Sequence, residues 1–131
     1  MSDYDFLAGF LKYVGDTTQR ETPEISEMMD ELLRAADELK QTGQITVPED
    51  RLHLAARAMA GVAGFLQKQI LPEVVAAENE KGQIQVRWVI DTSMAAMGQL
   101  LGHAELTNND TTSSEGRDFV VQLPSPPTYA N

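Results

Sequence analysis

The sequence predicts an all-α domain, a small four-helix bundle with a mostly irregular C-terminal tail. Three observations lead there. Apolar residues recur at three- and four-residue spacing through most of the chain up to Leu106. Helix-start and helix-stop residues punctuate those periodic runs. From Thr107 the composition turns polar and the periodicity ends. At 131 residues the chain has the size of one domain, divided into a bundle over 1–106 and a tail over 107–131. A chain this long can bury roughly two thirds of its surface without disulfides or metals.

The first helix is expected from Ser2 to Val14, with Phe6, Leu7, Phe10, Leu11 and Val14 on one stripe. Ser2 with Asp5 has the spacing of a cap, and Gly15 is the expected stop. The second begins at Thr22-Pro23, an N-cap followed by a proline that loses no needed N–H. Ile25, Met28, Met29, Leu32, Leu33, Ala36 and Leu39 form its apolar face, and Gly43 ends it. Its other face carries Glu24, Glu27, Asp30, Glu31, Asp37 and Glu38 against Arg34 and Lys40, a net charge of 2 − 6 = −4.

The third helix is expected to open at ITVPED, where Thr46 and Glu49 have capping-box spacing. Small residues Ala56, Ala60 and Gly64 recur every four positions, which suggests close approach of another helix. Pro72 should kink or break this helix, giving a five-element version of the bundle, and Gly82 closes it. IQVRWVI alternates as a strand would. Yet Val86, Ile90, Met94, Met97 and Leu101 continue at helical spacing, so a fourth helix is expected over 84–102. Helices three and four should pair along a tight seam, with Ala56, Ala60 and Gly64 against Ser93, Ala96 and Met97. On that reading Gly64→Leu overpacks the seam and costs about 1 to 3 kcal/mol.

Composition narrows the function. Net charge is −10, which repels nucleic-acid phosphates and anionic lipid and favours a protein partner with a basic surface. The longest apolar stretch, LAARAMAGVAGFL, is 13 residues and contains Arg57, too short and too charged to span a membrane. No cysteine is present, so disulfides, thiolate nucleophiles and Cys-based zinc sites are out of the question. The acidic start MSDYDFLAGF does not resemble a secretory signal, and a cytoplasmic location is expected.

No catalytic residue, cofactor site or metal site is expected. Ser93, Ser113, Ser114 and Ser125 have no base beside them in sequence, and no glycine-rich phosphate loop is present. His53 has Glu49 and Asp50 one helical turn away, which is half of a metal site at most. His103 reads as a cation near a helix C-terminus, and Arg87 with Asp91 as an i, i+4 pair.

The tail offers two docking patterns. Pro126-Pro127-Thr128-Tyr129 matches the Pro-Pro-x-Tyr ligand of WW domains. Phe119, Val121 and Leu123 share one face of an extended segment, able to join a partner's sheet or to fold back on the bundle; self-packing is favoured, because apolar side chains are costly to leave in water. The expected function is therefore a non-enzymatic interaction module or adaptor, with a homodimer among its assemblies. Its contacts are expected at Glu24, Glu27, Asp30, Glu31 and Glu38 of helix two, and at Phe119, Val121, Leu123, Pro126, Pro127 and Tyr129 of the tail.

Small size and low pI are similar to those of type III secretion chaperones, though these resemble an α/β arrangement with more strands than this sequence shows. In acidity and helicity the chain also resembles DNA-mimic inhibitors and toxin-neutralising immunity proteins. That resemblance is compositional and carries over no residue; it implies an alternative function, neutralising a basic, nucleic-acid-binding partner.

Overall fold

The computed structural model describes residues 4–109 and 118–127. Four long helices make the body: α1 (Asp5–Thr17), α2 (Pro23–Thr42), α3 (Leu52–Phe65) and α5 (Glu80–Asn109), with the short α4 (Leu71–Ala76) between the last two. A two-stranded antiparallel sheet pairs β1 (Ile45–Pro48) with β2 (Asp118–Val121), Ile45 opposite Val121 and Pro48 opposite Asp118. The architecture is the expected helical bundle, with one small sheet added.

α1 packs on α2, and α3 lies between α2 and α5. Buried leucines at 7, 11, 32, 39, 52, 66 and 100 fill the space between them, and Ile45, Val47 and Val121 close one side from the sheet. Each large side chain so buried contributes about 1.5 to 3 kcal/mol against leaving it in water.

α2 has the predicted ends. The Thr22 hydroxyl accepts the Ile25 N–H at 3.1 Å. Gly43 takes a left-handed φ of 74° and donates its N–H to the Leu39 carbonyl at 2.9 Å. Ser2, the cap expected for the first helix, lies outside the described residues. Gly15 does not stop α1, which continues to Thr17. A Cβ on Gly15 would stand 2.9 Å from Leu33 Cδ2 and 3.3 Å from the Met29 carbonyl oxygen. Gly15 therefore sits at a close approach of α1 and α2.

The close seam expected at Gly64 is not present: a Cβ there meets nothing within 4 Å. α3 and α5 do pack together, through buried Ala56, Ser93 and Ala96, while Gly64, Ala60 and Met97 are only half-buried. The predicted cost of Gly64→Leu by overpacking is withdrawn with that seam.

ITVP is a strand rather than a helix cap. Its hydroxyl-bearing Thr46 bonds to Glu38 of α2 instead of to the α3 backbone. A turn of 3-10 helix over Glu49–Arg51 then leads into α3. Pro72 breaks the helix as expected, and a π-helical turn over Leu66–Ile70 prepares the break. There the Leu71 N–H reaches five residues back to the Leu66 carbonyl, widening the turn ahead of the proline. Glu78, at φ 54°, reverses the chain. The Asn79 side chain then accepts the Gly82 N–H at 2.9 Å and caps α5, so Gly82 lies inside the new helix rather than closing the old one. The fourth long helix is longer than expected at both ends, 80–109 against 84–102. The boundary drawn at residue 106 falls inside it.

Candidate interaction surface

The six carboxylates on the polar face of α2 divide into two sets. Glu31 and Glu38 turn toward β1. Glu31 is 5% exposed, and its Oε2 accepts from Arg34 Nε at 2.9 Å. The Arg34 guanidinium continues to the Thr46 carbonyl, donating from Nη2 at 2.8 Å. The Thr46 N–H donates to Glu38 Oε1 at 2.9 Å. Both backbone groups of Thr46 that point away from β2 are thereby satisfied by α2 side chains. Glu31 Oε1 is buried without a hydrogen-bond partner, beside a small void under β1 lined by Leu32, Ile45 and Val47.

Glu24, Glu27, Asp30 and Asp37 form the second set, exposed on the outer strip of α2. Glu24 pairs with Arg57 of α3, and Asp30 with Arg20 at 2.8 Å. Asp37 accepts from Gln41 at 3.1 Å. Among the described residues Glu27 and Asp37 have no salt-bridge partner. The acidic face is thus partly neutralised by the chain's own arginines.

The tail residues fold back. Val121 is buried, and Phe119 and Leu123 pack half-buried against the core. Beyond β2, the Gln99 side-chain amide of α5 holds the backbone of Gln122 at two points. Its Nε2 donates to the Gln122 carbonyl at 2.8 Å, and its Oε1 accepts the Gln122 N–H at 2.7 Å. Trp88 Nε1 donates to the Ser125 carbonyl at 2.9 Å, and the Tyr4 hydroxyl to the Pro124 carbonyl at 3.2 Å, with the two rings stacked. Pro126 and Pro127 are half-buried. Tyr129, which completes the Pro-Pro-x-Tyr pattern, lies outside the described residues.

His103 is not at the helix end, because α5 runs on to Asn109. Its ring stacks on Phe119 at 4.5 Å, with Nε2 3.4 Å from Glu49 Oε1. Glu49 therefore faces His103 rather than joining His53, which is exposed. No group of three or more metal-ligating side chains occurs among the described residues. Ser93 is 1% exposed, and its hydroxyl has no hydrogen-bond partner. Arg87 and Asp91 form no ion pair; both line an open groove with Gln67, Leu71 and Ile90.

The stripe expected through Val86, Ile90, Met94, Met97 and Leu101 divides: Val86 is buried and Ile90 and Met97 are half-buried, but Met94 and Leu101 turn outward, on a surface that the sequence reading did not separate. The face of α5 turned away from α3 exposes Ile84 (45%), Met94 (46%) and Leu101 (41%), with Leu106 (69%) beyond them. Positions 84, 87, 91, 94, 98, 101 and 105 advance by three and four and share this face. The signal was present in the sequence. It was masked because α5 has apolar residues on two sides, so its buried stripe absorbed the periodicity. No helix among the described residues is long and apolar enough to cross a membrane. Comparison with protein-family models, curated proteins and solved structures finds no match to this chain.

Proposed function

We propose that this chain is a non-enzymatic, cytoplasmic protein-interaction module. The observation that carries the reading is the outward face of α5, where Met94 and Leu101 are 46% and 41% exposed on a helix whose opposite side is buried from Val86 to Ala104. Large apolar side chains gathered on one face mark contact surfaces more often than singly scattered ones do. The net charge of −10 favours a partner with a basic surface and disfavours direct nucleic-acid binding. On α2 the exposed ion pairs of Glu24 and Asp30 are worth at most about 1 kcal/mol each, so a basic partner can take over those carboxylates at little cost. The tail is a poorer docking element, since engaging Phe119 or Val121 requires lifting β2 off the bundle.

A second reading, an inhibitor that covers a basic nucleic-acid-binding site, is favoured by Glu27 and Asp37, exposed on the same α2 strip without cationic partners. Affinity capture from native host lysate tests both readings, using the wild-type chain, a Glu27→Lys/Asp37→Lys pair and a Met94→Glu/Leu101→Glu pair. The module reading expects a foreign protein retained by the wild type and lost with one of the pairs. A nucleic-acid-binding partner lost only with the α2 pair, and eluting at modest salt, selects the inhibitor. Identical retention by all three baits, or none above background, overturns both.

A further inference from the structure

We infer that the outward face of α5 is the interface of a symmetric homodimer, in which α5 pairs antiparallel with α5 of a second copy. The inference rests on the interaction-module reading and names the occupant of its apolar face.

The face is complementary to itself. Its residues follow a three–four repeat, the seam spacing of paired helices. In an antiparallel pair centred beside Ala96, each position i meets position 192 − i of the partner. Met94 then meets the partner's Gly98, and Gly98 meets the partner's Met94. Gly98 is exposed and bare: a Cβ there would touch nothing within 4 Å, so the helix backbone at this position has open space over it in the monomer. A flexible, half-exposed methionine is a suitable knob for it.

The same register places Arg87 opposite the partner's Glu105. Each lies nine residues, about 13 Å, from the centre. Both are exposed, and among the described residues neither has a salt-bridge partner, although Asp91 is one turn from Arg87. Two-fold symmetry makes this pair twice, once at each end of the seam. Between centre and ends, Leu101 meets the partner's Asp91 at the lip of the groove that Asp91 lines with Gln67, Leu71, Arg87 and Ile90. Leu71 and Ile90 offer the leucine apolar contact there, and the open side of the groove leaves the carboxylate in water. A parallel pair would put Arg87 against Arg87 and Glu105 against Glu105, which charge repulsion disfavours.

Sedimentation equilibrium on the full chain tests the inference, with the helical circular dichroism of each variant as a folding control. The wild type is expected to be a concentration-dependent dimer. Arg87→Glu and Glu105→Arg should each raise Kd at least about tenfold, and the double reversal should return it to within about threefold. Mixing the two single variants should likewise restore dimers, because each then meets its opposite charge. Gly98→Leu, which fills the space meant for the partner's Met94 without crowding the monomer, should also raise Kd at least about tenfold.

A wild-type chain that stays monomeric up to about 0.5 mM overturns the dimer. The module reading then stands or falls on lysate capture, which is scored on foreign proteins. A dimer indifferent to the single changes, or a double reversal as weak as the singles, overturns the α5 seam.

Discussion

Arg34 shows how much one side chain can hold. Its guanidinium bonds Glu31 and the Thr46 carbonyl and lies 3.5 Å from Glu38, so it ties α2 to β1 while balancing a carboxylate that is 5% exposed. Removing it leaves Glu31 buried without its counter-charge, the costly way to break such a pair. Arg34→Met should therefore destabilise the protein by about 2 to 4 kcal/mol, less than for a fully buried pair because the arginine side chain is 39% exposed. Urea denaturation measures this, and an unchanged midpoint would show the network to be ornamental. The glycines give a paired test. Gly15→Val should cost about 1 to 3 kcal/mol, because its side chain must push against Leu33 and the Met29 carbonyl. Gly64→Ala should stabilise by about 0.5 to 1 kcal/mol, since it gains helix propensity and meets no neighbour. Equal midpoints for the two variants would contradict the placement of the tight approach at α1–α2. The local pattern read Gly15 as a helix stop and Gly64 as a seam residue, and the structure reverses the two: Gly15 meets α2 and Gly64 meets nothing. What separates them is a partner on another helix, which the sequence does not print.

Element by element, the long helices were legible because each carries an apolar stripe at helical spacing, and α2 also carries the cap and the stop that the structure uses. β1 was not. Thr46 and Glu49 have the spacing of a helix cap, and the segment that makes ITVP a strand lies beyond α5, opposite it in register from Asp118 to Val121. A short strand has no meaning without its partner. Phe119, Val121 and Leu123 do read as one face of an extended segment, yet the sequence shows no second strand for it to pair with. The α2 carboxylates show the same limit: composition counted six, and only the fold tells which ones β1 claims. The element-scale prediction concerns β2. A chain ending at Leu106 loses the burial of Val121 and Phe119 and the ladder to β1, and should be less stable by about 3 to 6 kcal/mol. Thermal unfolding of the truncated chain checks this; an unchanged Tm would mean that the sheet contributes nothing to the fold.

At the scale of the molecule, the chain closes on itself. Tyr4 and Pro124 bond across 120 positions of sequence, and Trp88 and Gln99 hold the segment between. Such distant contacts carry the entropy of closing a long loop, which short-range helical contacts do not. The overall charge, the all-α class and the size were readable at once. The closure was not, because it depends on three polar side chains, Tyr4, Trp88 and Gln99, that look unremarkable one by one.

Gln99 has a consequence at this scale. Its amide occupies the N–H and C=O of Gln122 as a neighbouring strand would, just as Arg34 and Glu38 occupy those of Thr46 on the other side of the sheet. A bare strand edge is a template on which foreign strands grow, and proteins that keep one must guard it. Gln99→Ala removes that guard next to Val120, which is already 41% exposed, and should leave the monomer's fold largely intact while shortening the lag of thioflavin-positive fibril growth under mild heating. Seen this way, the two polar clamps on this small sheet do more than hold it in place: they cover backbone groups on which the strand of another chain could otherwise pair.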